Sequence, residues 1–192
     1  MDYKIILGAI ATLVAFVSYI PYFRDVFLGT TKPHAFTWLV WGTLSSIGCA
    51  GQLAGGGGPG AWVTGFSAFV NFIIFFFALK QSKKNILPID WASLLGAAMA
   101  LVLWFITKSP LLSIVLVTII DALGFVPTFR KSFTKPHEET LLTFFLSVVK
   151  FAIGLVALKQ FSLVTALYPS YLVLANAIFV LMLVIRRSRL AH

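Results

Sequence analysis

The chain has 192 residues, 59% apolar and 11% charged, with a net charge of +9 and a mean hydropathy of +0.96. Soluble domains carry about 25% charged residues, and this composition excludes one. A basic excess of this size would suggest nucleic acid in a soluble protein; here it gathers at the ends of apolar runs, as membrane proteins place it, and no nucleic-acid partner is expected.

The runs predict seven spans, at about 4–23, 35–54, 61–79, 88–107, 110–129, 139–158 and 163–185. Each is long enough for a helix to cross ~30 Å of hydrocarbon. Helix is required, because an open sheet edge in lipid leaves backbone groups unpaired. The fold class is therefore an all-α, multi-pass integral membrane protein. Eleven Lys and Arg fall at one set of span ends and three, Lys4, Lys108 and Lys159, at the other. The positive-inside rule then places the amino terminus outside and the carboxyl terminus in the cytoplasm. Met1-Asp2-Tyr3-Lys4 lacks the basic start of a removable signal peptide. The single Cys49 lies in an apolar run, so no disulfide framework is expected.

The end of the first span carries Pro-x-Phe-Arg at Pro21, and the same pattern returns 106 residues later at Pro127. Thr-Lys-Pro-His follows at Thr31 and returns 103 residues later at Thr134. Such self-similarity indicates a tandem duplication. Spans 1–3 match spans 5–7, which divides the chain into a first three-helix bundle (1–83), a linker helix (84–108) and a second bundle (109–192). An odd number of spans per unit would invert the second copy, and the linker span restores its direction. The result is a 3+1+3 parallel repeat, a known transporter plan with the solute near the midplane where the repeats meet.

In chain order, Pro21 and Pro127 stand near the cytoplasmic ends of spans 1 and 5, where a proline removes a backbone bond and loosens the helix. Each is an ordinary kink or a hinge. Trp38 and Trp41 open span 2 on one helix face; they serve an aromatic belt or stack on a solute. Trp62 and Trp104 read as interfacial anchors, and the small residues Gly42, Ser45, Ser46, Gly48 and Gly51 read as packing surface. Asn71 sits in the middle of span 3, and 105 residues on, Asn176 sits in the middle of span 7. An amide in hydrocarbon needs partners: it either glues neighbouring helices or, as a pair, grips a polyhydroxyl or zwitterionic solute from two sides. Asp121 in span 5 and Lys150 in span 6 are the ionisable side chains at mid-span. On antiparallel neighbours their depths differ by ~4–5 Å, so they are expected to pair or to line water, as a static ion pair, a proton-sensitive pair or an anchor for a solute carboxylate. Their repeat equivalents are Ala15 and Ile47, which points to specialisation of the second half. His34 and His137 follow Lys-Pro at helix starts among basic residues, and no metal site is expected.

A 3+1+3 plan with a proline at the cytoplasmic end of spans 1 and 5 resembles the SWEET and PQ-loop superfamily of membrane transporters. The family's Pro-Gln pair stands here as Pro21-Tyr22 and Pro127-Thr128, without the glutamine in either copy. The resemblance implies alternating access, prolines that act as hinges, and a pair of asparagines that bind sugar, carried over onto Asn71 and Asn176. Trp38-x-x-Trp41 also resembles the signature of nicotinamide-riboside-type vitamin transporters, although the second half has Leu141 and Phe144 at those places. Some PQ-loop transporters are proton-driven through intramembrane acids.

No nucleophile with a base, no paired carboxylates and no phosphate-cradling glycine motif occurs, so neither an enzyme nor a cofactor is expected. A retinal Schiff base on Lys150 fits poorly with a duplicated 3+1+3 plan. The sequence is read as a transporter of a small polar solute, sugar-like by first choice. The alternatives are a proton-coupled amino-acid or vitamin transporter of the same fold and a membrane receptor that does not transport. The partners expected are the solute and the lipid bilayer, with a homo-oligomer left open.

Overall fold

The computed structural model describes residues 2–190 apart from Lys32, His34 and 82–87. Within its helices the side chains of Lys80, Gln81, Ile89, Asp90, Ser93, Leu101, Pro127 and Leu190 also lie outside the described residues. The described chain is all-helical: α1 (Tyr3–Phe27), α2 (Ala35–Ala54), α3 (Trp62–Gln81), α4 (Pro88–Thr107), α5 (Pro110–Thr134), α6 (Leu141–Val156) and α7 (Leu163–Leu190). Short 3-10 turns occupy Gly58–Ala61 and Pro136–Glu138.

Local chemistry accounts for the ends. The Asp2 carboxylate accepts from the Lys4 backbone N–H at 3.0 Å and caps α1. Pro110 opens α5 at a position that needs no backbone donor. Beyond Phe27 the chain turns at Gly29, whose φ of +73° suits a residue without Cβ. Helices α1 and α7 continue through Pro21 and Pro169. Position 127 also falls within α5, but the hinge expected of Pro127 concerns a side chain outside the described residues.

Four segments are long and apolar enough to cross a membrane: Tyr3–Phe27, Gly58–Leu79, Pro110–Thr134 and Leu163–Arg189. The apolar stretches of Leu94–Thr107 and Leu141–Val156 are shorter. Polarity is turned inside out. Leu13, Phe16, Phe69, Phe105 and Ile106 are exposed, whereas Gln52, Asn71, Asp121 and Lys150 are buried. An apolar exterior around a polar interior is the pattern of a multi-pass membrane protein.

Helix α3 packs against both α1 and α2, and α7 packs against both α5 and α6. Across the molecule α1 meets α6 and α2 meets α5. Helix α4 lies against α5 and α2, with Ala97 and Ala100 packed on Ile114, Val117 and Ile120. A cavity remains between the six other helices.

Candidate functional site

The cavity has a volume of about 80 Å³ and is lined from α1, α2, α3, α5, α6 and α7, with nothing from α4. Asn71, Asn176, Trp38, Trp41, Asp121 and Lys150, singled out in the sequence from five separate stretches, all line it. The four polar members are at least nine-tenths buried.

The two asparagines are bonded differently. The Tyr19 hydroxyl donates to Asn71 Oδ1 at 3.2 Å, while Asn176 Nδ2 donates to the Leu172 carbonyl at 2.7 Å, one turn back in its own helix. Among the described residues no other bond is made by the Asn71 amide nitrogen or by Asn176 Oδ1. Tyr19 also meets Lys150, whose ammonium lies 4.2 Å from its ring centroid. A cation over an aromatic face gains about 2 kcal/mol or more when desolvated, which offsets part of the ~2.5–3.5 kcal/mol minimum cost of burying it alone. The Asp121 carboxylate neighbours the Tyr171 hydroxyl, which has no partner in hydrogen-bonding geometry.

Asp121 and Lys150 do not form the direct ion pair that depth alone suggested; among the described residues no salt bridge joins them. The reason is helix order. Helices α5 and α6 each pack on α7 rather than closely on one another, so Asp121 faces the cavity from the α5/α7 wall and Lys150 from the α6/α1 wall. Both line one space from different sides.

Towards the end that carries Arg24, Lys131 and Arg187, aromatic rings form much of the cavity wall. Tyr22 lies 4.9 Å from Trp38, Trp38 5.3 Å from Trp41, and Trp41 5.7 Å from Phe125. Phe125 continues to Phe144 and Phe179, so the chain of rings runs from α1 to α7. Phe144, the repeat equivalent of Trp41, thus lines the same cavity. Beyond the rings, Thr140 donates to Asp25 at 2.6 Å and lies 3.2 Å from the Thr31 hydroxyl, which ties the loop before α6 to α1 and the loop after it. Nearby, outside the helices, burial pushes the Glu139 carboxyl up from its ordinary range, against the opposing pull of Lys131 at 3.0 Å.

The opposite end is joined largely through backbone. Lys159 N–H donates to the Gly57 carbonyl at 3.0 Å and Gln160 N–H to that of Gly56 at 3.3 Å. Lys4 Nζ donates to the Leu158 carbonyl at 2.6 Å, and Gln52 Nε2 to that of Thr165 at 3.1 Å. Contacts between α1–α3 and α5–α7, with the loops beside them, therefore lie towards both ends of the molecule.

Tyr19, Phe125, Tyr168 and the Asp25–Thr140 bond are the parts that sequence reasoning missed. Tyr19 had a usable signal: a hydroxyl in an apolar run needs a partner, and it precedes Pro21 by two residues as Phe125 precedes Pro127. His34 lies outside the described residues, and among the described residues no three His, Cys, Asp or Glu side chains gather as a metal site would require.

The chain matches none of the protein-family models, curated proteins or solved structures with which it was compared.

Proposed function

We propose that the protein is a membrane transporter that moves a small polar solute by alternating access between two three-helix bundles joined by a linker span. Seven helices cross the bilayer in a 3+1+3 parallel repeat, with the amino terminus outside and the carboxyl terminus in the cytoplasm. The observation that carries this reading is that Asn71 and Asn176, repeat equivalents 105 residues apart, line one mid-depth cavity between the halves. The neighbour pattern supports it: α3 sits with α1 and α2 as α7 sits with α5 and α6, and the cross-contacts α1 with α6 and α2 with α5 exchange under the repeat. Transporters built from repeats place their solute at such an interface. The resemblance to the SWEET and PQ-loop superfamily belongs to the same proposal.

The asparagines present an amide from each half, and contacts at both ends give each bundle something to release in turn. Uptake into proteoliposomes, run with a panel of radiolabelled amino acids, sugars and vitamins, tests the proposal. Asn71→Ala and Asn176→Ala are each expected to lower uptake at low solute by more than about tenfold, a loss of ~1.4 kcal/mol or more, with protein in the membrane unchanged. Solute binding without flux in the parent protein would instead mark a receptor.

A further inference from the structure

We infer that the solute is a small zwitterionic amino acid, its ammonium group held by Asp121 and its carboxylate by Lys150. The inference rests on the transport reading for the solute's passage, but on the chemistry of the cavity for its identity. Asp121 is 4% exposed and Lys150 1% exposed, and both line the cavity. A charge at the bilayer centre costs at least ~2.5–3.5 kcal/mol, and these two are not relieved by each other, since no salt bridge joins them. Among the described residues no other acidic or basic side chain lines the space. A ligand that supplies a positive group to one wall and a negative group to the other matches both side chains in their charged forms. A simple cation leaves Lys150 unmatched, a simple anion leaves Asp121 unmatched, and a neutral sugar leaves both.

The amides are polarised in the same sense. Asn71 has its oxygen engaged by Tyr19, the residue whose ring also underlies the Lys150 ammonium, so the free amide N–H groups belong to the lysine's side. Asn176 has its nitrogen engaged by Leu172 and keeps its oxygen, on the helix that carries the Tyr171 neighbour of Asp121. One wall donates and the other accepts, as a carboxylate and an ammonium require. Size agrees. At about 80 Å³ the cavity has roughly half the ~150 Å³ that accommodates benzene, which suits glycine or alanine better than a hexose.

The test uses the full chain in detergent and in proteoliposomes, with alanine, alanine methyl ester, N-acetylalanine and glucose as probes. Alanine is expected to bind by calorimetry and to exchange in counterflow. The ester and the acetyl derivative, each lacking one charge, are expected to bind at least about tenfold more weakly to the unmutated protein. Asp121→Asn and Lys150→Met are expected to lose alanine binding to the same extent. Glucose exchange that equals or exceeds alanine exchange, or blocked derivatives that bind as well as alanine, overturns the zwitterion while transport stands. Charge-dependent alanine binding without counterflow upholds the zwitterion and overturns transport. Absence of alanine binding and alanine exchange overturns the inference.

Discussion

Asn71 receives a hydrogen bond on its oxygen from Tyr19, whereas Asn176 uses its nitrogen on the Leu172 carbonyl. Both were visible in the sequence, because an amide inside an apolar run stands out whatever it touches. Tyr19 stands out less, as one aromatic in a chain that is 15% aromatic, and only its hydroxyl and its place two residues before Pro21 mark it. Its two contacts can be separated. Tyr19→Phe keeps the ring under the Lys150 ammonium and removes only the hydroxyl bonded to Asn71. A neutral hydrogen bond contributes ~0.5–1.5 kcal/mol, so the KM for uptake is expected to rise about two- to tenfold with the maximal rate little changed. Tyr19→Leu, which also removes the ring, is expected to weaken uptake further. Equal KM values for Tyr19→Phe and the parent would take the hydroxyl out of the site.

Helices end where backbone bonding is capped, and apolar runs end where side chains turn polar. Those points differ: the predicted 4–23 becomes Tyr3–Phe27, and 110–129 becomes Pro110–Thr134, because a helix continues past its greasy stretch until a turn such as that at Gly29 stops it. The predicted 139–158 shortens to Leu141–Val156, since Pro136–Glu138 forms its own 3-10 turn ahead of it. Gly42, Gly48 and Gly51 of α2 are packing surface, whereas Ser45, read with them as packing, lines the cavity. A Cβ at Gly48 would lie 2.5 Å from the Tyr168 ring, and one at Gly51 2.5 Å from Ile114. Tyr168 is 1% exposed, with little room to retreat. Gly48→Ala is therefore expected to destabilise by ~1–3 kcal/mol, the usual penalty for overpacking, read as a lower melting temperature in detergent. Gly48→Ala combined with Tyr168→Leu is expected to recover part of the loss; a single variant that melts with the parent would show that α2 and α7 can separate freely.

At the level of the assembled molecule, α1–α3 and α5–α7 meet through two unlike sets of contacts. One is made of side chains, the aromatic chain through Trp41 and Phe125 and the Thr140 hydroxyl on Asp25. The other is largely backbone, between Gly56–Gly57 and Lys159–Gln160. The side-chain set can be weakened without rebuilding the fold. Thr140→Val removes the bond to Asp25 and the contact with Thr31; under the alternating-access proposal this is expected to favour an open form by ~1–3 kcal/mol. In a Cys49→Ala background, a cysteine at Ser147 in the cavity wall is expected to label at least about fivefold faster from the basic end. An unchanged labelling rate would mean that this contact does not hold the gate.

All-helical architecture, an apolar exterior and six of the residues that line the cavity are legible in the chain alone. Hydropathy and the rarity of amides and charges in hydrocarbon act locally, and so survive any arrangement of the helices. Which helices touch is a property of packing. Chain order predicts spans 5 and 6 as neighbours, yet α7 packs against both, and Asp121 and Lys150 face one space from different walls instead of each other. Side-chain shape decides that order. Glycines at 48 and 51 admit Tyr168 and Ile114, a fit between surfaces more than sixty residues apart that no single stretch of sequence can express.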